Sequence, residues 1–175
     1  VQQQKGSLDI VFANAGGGEF APLGAITEAH VDKTFNANVK RLLFTVQQAL
    51  PLLVDGSSII LNASTAASTG TPAFSVYSAT KVAVRSFARS WTLDLKHRHM
   101  RVNALSPRGT DTAGLHGLAQ TEAHAQELNA LVSTIPLGRM ATADEIATVA
   151  VFLASDDSSD VTGIELFVDG GMAQI

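Results

Sequence analysis

Three short runs, "LDIVFAN" (8–14), "SSIILNAS" (57–64) and "RVNALS" (101–106), are continuously apolar or β-branched, and each ends in small polar residues. A strand with one solvated face alternates apolar with polar side chains. Unbroken apolar runs belong to strands covered on both faces, as in a parallel sheet. Between them lie segments with helical spacing, Thr27 to Leu53 and Val76 to His97, so strand and helix alternate and the class is α/β. The second long helix is expected to end in "KHRH" (96–99), cations suited to the negative end of its dipole. "TADE" (142–145) has the spacing of a capping box opening the helix "EIATVAVFLAS", and "GIELFVDGG" (163–171) supplies a last strand.

At 175 residues, 46% hydrophobic and 16% charged, the chain fits a single domain (1–175) with one sizeable core. The formal charge of -4 has no basic block to offset it, so a small ligand is expected rather than nucleic acid or an anionic membrane. With no cysteine there is no disulfide frame and no thiolate nucleophile, which suits a reducing cytoplasm. The longest apolar runs, such as Ile146 to Ala154, fall short of the roughly 18 residues that suggest a membrane span. The polar stretch 113–135, with its Gly and His residues, is expected to be a lid of loop and short helices over a site.

"FANAGGGEF" (12–20) places three glycines directly after a strand, as phosphate loops do. The next clear helix begins only near Thr27, and a phosphate loop leads straight into a helix N-terminus. The glycines therefore fit the end of a strand better than a phosphate-holding loop.

In open parallel sheets ligands bind beyond the carboxyl ends of the strands. Those ends offer Asn14 and the glycines, then Ser64 and Thr65, then Ser106 through Thr112. "YSATK" puts Tyr77 and Lys81 four apart, on one helix face. A phenol ordinarily ionises near pH 10, and a neighbouring ammonium in a site screened from water favours the phenolate, which suits acid/base work. Ser64, a donor and acceptor, is placed to hold a substrate oxygen. Tyr and Lys at helical spacing also describe a surface or snorkelling pair, so spacing alone leaves both readings open. The five His residues (30, 97, 99, 116 and 124) show no metal-ligand spacing, and no metal is expected; they read as surface or loop residues, with a substrate contact by His116 of the lid as the lesser alternative.

"ANAG" (13–16), "NANVKRLLFTVQQALPLL" (36–53), "IILNAS" (59–64), "YSATK" (77–81), "RVNALSP" (101–107) and the long run 136–171 occur in an order and spacing that resemble the short-chain dehydrogenase/reductase family. The resemblance covers nearly the whole chain. It implies a Rossmann-type, doubly wound parallel sheet in three layers, α/β/α, and a catalytic set of Asn38, Ser64, Tyr77 and Lys81. By that resemblance Tyr77 is the general acid/base, Lys81 lowers its pKa and holds the nicotinamide ribose, Ser64 orients the substrate oxygen, and Asn38 holds a relay water. A helix-interior Asn also serves simply to mend a kink. Asn14, Ala15 and Gly16 would lie along the cofactor, NAD or NADP, with Tyr77 and Lys81. Asn14 has an equal alternative, tying neighbouring strands together.

After Pro107 the family pattern has Gly and then a segment ending in Thr. Here Pro107, Gly109, Thr110 and Thr112 keep cofactor-binding places, but Arg108 occupies the Gly position, pointing toward the cofactor or out to solvent. The implied activity interconverts a secondary alcohol and a ketone, most like bacterial alcohol dehydrogenases and carbonyl reductases, with Phe20, Phe74 and Leu115 flanking a small-molecule substrate. A 3-oxoacyl-(acyl carrier protein) reductase and a non-catalytic scaffold are the alternatives. A homo-oligomer, tetramer or dimer, is implied, with helices 30–53 and 77–97 at an interface eased by Ser78, Ala79 and Ala83.

Members of the family begin with a strand and a TGxxxGxG loop for the pyrophosphate, then two more strands, and no counterpart precedes Val1. The resemblance thus implies a portion of a longer polypeptide in which strand 8–14 awaits a neighbour. The residues that select NAD or NADP would lie in that upstream part.

Overall fold

The computed structural model describes residues 2–112, 126, 130 and 132–173. After a short helix, α1 (Gln2–Lys5), the apolar runs become β1 (Leu8–Ala13), β2 (Leu53–Asn62) and β3 (Arg101–Pro107). A small ladder pairs β4 (Thr110–Asp111) with β5 (Ala141–Thr142), and β6 (Glu165–Val168) completes the main sheet. The main sheet runs in the order β1, β2, β3, β6 with every pair parallel.

Side chains alternate across a strand, so each buried run feeds two layers. Ile59, Leu61, Val102 and Ala104 pack against Leu42 and Val46 of α3 (Arg41–Ala49) and Val84 and Ala88 of α4 (Ser75–Asp94). Ile60 and Leu105 face the opposite way, onto Ala150 and Leu153 of α5 (Ala143–Ala154). Fully burying such a side chain contributes roughly 1.5–3 kcal/mol, and these two clusters hold helices on both faces of the sheet. The α/β class expected from the alternation, and the α/β/α layering implied by the resemblance, are the ones found.

Several local expectations are corrected. Among the described residues β1 stands at one end of the sheet order with Ile10 47% and Phe12 41% exposed, since α5 packs over β2 and β3. β2 begins at Leu53 rather than 57. Leu8 pairs with Leu53, and the register then shifts so that Ile10 meets Ser58, the intervening Gly56 taking φ +84°. The helix expected over 27–53 is broken in three: α2 (Glu28–Phe35), a π-helical turn (Asn36–Lys40), and α3. Thr27 caps α2, its hydroxyl accepting from His30 N at 3.2 Å.

"KHRH" does not end α4, which stops at Asp94; residues 96–98 form a 3-10 turn closed by His99 at φ +53°. The cation serves another helix end. Arg98 donates to the Leu50 carbonyl just past α3 at 3.2 Å, to the Leu53 carbonyl, and to Asp55 at 2.9 Å. The capping box forms as read: Glu145 N donates to Thr142 Oγ1 at 3.3 Å and Thr142 N to Glu145 Oε2 at 2.8 Å. Arg139 grips the same carboxylate through both its oxygens, and these donors hold the Glu145 carboxyl down at about 2. The last strand is shorter than 163–171, since Gly163, Gly170 and Gly171 adopt positive φ on either side of it. Most of the expected lid, 113–125, 127–129 and 131, with Leu115, His116 and His124, lies outside the described residues.

Candidate active site

The carboxyl ends of β1, β2 and β3 open onto one cleft of ≈ 640 Å³. Ser64 enters it two residues past β2, where it caps a 3-10 turn (Thr65–Ala67) by accepting from Ala66 N at 3.2 Å. That bond uses an acceptor site and leaves the hydroxyl proton available. Tyr77 stands in the first turn of α4, on the cleft wall. Lys81, one turn on, is only 4% exposed; its Nζ donates to the Asn62 carbonyl at 2.7 Å and lies 5.4 Å from the Tyr77 ring centroid. The Tyr77–Lys81 pair is therefore not a surface pair.

Burial dominates the electrostatics. Lys81 is lowered to about 8 by desolvation of its ammonium. The Tyr77 phenol is pushed above its ordinary value by burial, which outweighs the opposing hydrogen-bonding effect of Ser64. The net direction is thus opposite to the lowering expected from Lys81.

Asn38 occupies the π-helical turn, 1% exposed. Its Oδ1 accepts from Gly17 N at 2.9 Å, and its Nδ2 donates to the Gly17 carbonyl at 2.8 Å and to Thr80 Oγ1 at 3.0 Å. Thr80 in turn donates to the Tyr77 carbonyl at 2.6 Å. The Asn38 side chain is thereby committed to tying the glycine loop to the catalytic helix, and Thr80, which sequence reasoning passed over, is the link. Any part of Asn38 in a water relay falls to its backbone carbonyl.

The glycine loop lies flush against these groups. A Cβ on Gly16 would stand 2.6 Å from Asn38 Oδ1, and one on Gly18 would stand 2.5 Å from Tyr77 Cδ2 and 2.9 Å from Phe74 Cζ. Gly17 faces open space. Beyond the loop, Phe20 stacks on Phe74 at 4.5 Å between centroids and Phe74 on Tyr77 at 4.4 Å. An aromatic ladder therefore borders the phenol.

Asn14, Gly16, Pro107, Gly109, Thr110 and Thr112 line the cleft as expected, whereas Ala15 is exposed and does not. The tie between strands is made by Asn62, whose Nδ2 reaches the Asn14 carbonyl at 3.5 Å. Arg108 points neither to solvent nor across the glycines. Gly109 takes the left-handed turn at φ +43°, and the Arg108 Nη1 donates to Thr69 Oγ1 at 3.2 Å and Thr65 Oγ1 at 3.4 Å, beside Ser64. No group of His, Asp and Glu among the described residues is arranged to hold a metal ion.

An open parallel sheet with Ser64 and Tyr77 on the cleft at its carboxyl edge and Lys81 buried beside it is a Rossmann-type α/β arrangement. The family model described as enoyl-(acyl carrier protein) reductase matches residues 1–173. The oxidoreductase asL5 of Sarocladium schorii is 45% identical over all of this chain and 70% of its own length. The hydroxynaphthalene reductase-like protein Arp2 of Metarhizium brunneum is 36% identical over 95% of the chain and 66% of its own length. Among solved structures, the angucycline C-6 ketoreductase LanV with bound NADP superposes with TM-score 0.90 at 29% identity, covering 99% of this chain and 66% of that one. Levodione reductase superposes with TM-score 0.93 at 27% identity, covering 99% and 69%. The chain belongs to the short-chain dehydrogenase/reductase family of oxidoreductases.

Proposed function

We propose that the chain interconverts a secondary alcohol and a ketone, with NAD or NADP as the redox partner. The observation that carries this is the convergence of Ser64 and Tyr77 on one cleft wall with Lys81 buried behind them. The residues fit a nicotinamide nucleoside. Asn62 Oδ1 is buried at the cleft without a partner among the described residues, an acceptor suited to a hydroxyl or amide donor. The bond to Asn62 uses one of the three Lys81 protons, leaving others for ribose hydroxyls. Asn14, Gly16, Pro107, Gly109, Thr110 and Thr112 would line the rest of that seat, and bound there the nicotinamide supplies or takes up hydride.

This chain's part is the proton. Ser64, with its hydroxyl proton available, holds the substrate oxygen against the Tyr77 phenol. Shifted above its ordinary value, the phenol is protonated at neutral pH as an unperturbed one is, so Tyr77 is in the form that donates to a carbonyl oxygen. Lys81, lowered to about 8, sits near enough to restore the proton. The reverse reaction needs the phenolate and is expected to speed up with rising pH.

The test is loss of NADH or NADPH absorbance with a panel of ketones, run beside Tyr77→Phe. Turnover in the parent chain that falls at least about a hundredfold in the variant supports the reading. Equal background rates in both remove it and leave a non-catalytic scaffold. No described helix is long and apolar enough to cross a membrane.

We further propose self-association through α3 and α4. Phe44 and Val82 stand 46% and 47% exposed on them, and Leu43, Leu50, Trp91 and Leu95 line a groove between them. Sedimentation showing only monomer overturns this.

A further inference from the structure

Arg108 differs from Arg98 and Arg101 in how its guanidinium is held. Arg101 and Arg98 each make three bonds to the protein, those of Arg101 between 2.6 and 3.0 Å. Among the described residues the Arg108 side chain makes two, both from the same Nη1, to neutral threonine hydroxyls at 3.2 and 3.4 Å. A guanidinium has five donors in a rigid fork, so most of its hydrogen-bonding capacity is unspent among the described residues. No carboxylate of those residues lies within ion-pair distance of it. Asp169 is the acid it feels electrostatically, and that carboxylate already accepts from Gly171 N at 2.9 Å and Ala173 N at 2.7 Å.

The placement turns this deficit toward the cleft. Arg108 extends β3, its N–H donating to the Val168 carbonyl at 3.3 Å, and its side chain lines the cavity shared by Ser64 and Tyr77. Both threonines it touches follow Ser64 within five residues. Partial burial lowers the guanidinium from its ordinary value, a penalty on its charge that an anion would relieve. A carboxylate matches the fork bidentately, and the Phe20–Phe74 stack offers an apolar wall for the remainder of the same molecule.

We propose that Arg108 is the anion-binding subsite of this cleft and that the substrate is an oxo or hydroxy acid. Its carboxylate rests on Arg108 while its reacting oxygen lies between Ser64 and Tyr77. The substrate class rests on the alcohol/ketone reading; the anion site does not.

Calorimetric titration of the chain with phenylacetate and with its neutral counterpart phenylacetamide separates the two. Phenylacetate is expected to bind at least about tenfold tighter, with the preference shrinking at high salt and vanishing in Arg108→Gln. Equal affinity of the two probes for the parent chain overturns the proposal, as does a preference that survives in the variant. A variant that loses NADPH binding and keeps phenylacetate binding also overturns it, in favour of a cofactor role. Should the variant fail to fold, modification of Arg108 in the parent chain by phenylglyoxal decides. Protection by phenylacetate and not by phenylacetamide supports the subsite, and equal protection sinks it. An intact anion preference without turnover of any ketone keeps the subsite and removes the reaction; turnover of neutral ketones without anion preference does the opposite.

Discussion

Asn38 and Gly17 hold each other in both directions, the Gly17 N–H donating to Asn38 Oδ1 at 2.9 Å and Asn38 Nδ2 donating to the Gly17 carbonyl at 2.8 Å. Asn38→Ala removes both contacts and the bond to Thr80, so the expected loss is about 2–4 kcal/mol of stability. Asn38→Asp keeps an acceptor for Gly17 N but sets a carboxylate oxygen against the Gly17 carbonyl, and is expected to fare no better. Urea denaturation of both variants checks this; stability within 0.5 kcal/mol of the parent, about the scatter of neutral substitutions, contradicts it.

Gly18→Ala tests whether the loop must lie on the Tyr77 ring. The new Cβ would meet Tyr77 Cδ2 at 2.5 Å and Cγ at 2.9 Å, so the ring or the loop has to move. A displacement of about 1 Å at a catalytic group lowers turnover on the order of a hundredfold. The expected signature is a lowered kcat with the thermal midpoint reduced by only a few degrees. Unchanged kcat shows that the loop yields without disturbing the phenol.

The Lys81 ammonium sets a pH dependence of stability. An unfolded lysine stays charged to about pH 10.4, whereas folded Lys81 gives up its proton near about 8. Between those values the unfolded chain binds more protons, so stability rises with pH, by up to about 3 kcal/mol. Tyr77 opposes this above pH 10, where the unfolded phenol ionises first and stability falls. Lys81→Met is expected to be more stable than the parent at pH 7 and to lack the rise between pH 8 and 10. Denaturant midpoints measured across that range decide it.

Arg101→Met probes the far end of α5. The buried guanidinium donates to the carbonyls of Leu153 and Ser155 and to Ser158 Oγ, closing that helix terminus. Both carbonyls keep another donor, Ser58 Oγ for Leu153 at 2.7 Å and Ser158 Oγ for Ser155 at 3.1 Å, so the cost is the loss of the guanidinium's own bonds, about 1.5–3 kcal/mol for a hydrogen bond to a charged group. The expected result is a destabilisation of about 2–4 kcal/mol with unchanged KM, read by urea denaturation and steady-state kinetics.

What could be read from residues alone was whatever acts over a few positions. Uninterrupted apolar runs announced a parallel sheet, Thr142 and Glu145 announced their cap, and strand ends located Ser64 and the glycines. The missed features depend on distant partners or on backbone geometry without a local signature. Apolar spacing runs smoothly through 36–40, so nothing marked the π-helical turn that Asn38 needs to reach Gly17 across 21 residues. "VDG" (54–56) has turn composition yet continues β2, because Gly56 absorbs a register shift instead of reversing the chain. The reach of Arg108 toward Thr65 and Thr69 follows from Gly109 taking the left-handed turn one position later than the family pattern has glycine. The pairing of Arg85 with Glu165 at 2.6 Å joins α4 to β6 across 80 positions and had no trace in either neighbourhood.

The aromatic ladder has an optical consequence. Its last ring, Tyr77, is the chain's single tyrosine, and the single tryptophan, Trp91, stacks on Phe87 four turns along α4. The ultraviolet band that appears when a phenol ionises therefore comes from the reacting group alone. An alkaline absorbance titration of the native chain should show a midpoint above the one near pH 10 in urea, and any ligand that seats on Ser64 should displace it further. The molecule carries its own indicator dye, installed at the phenol proposed to hand over the proton.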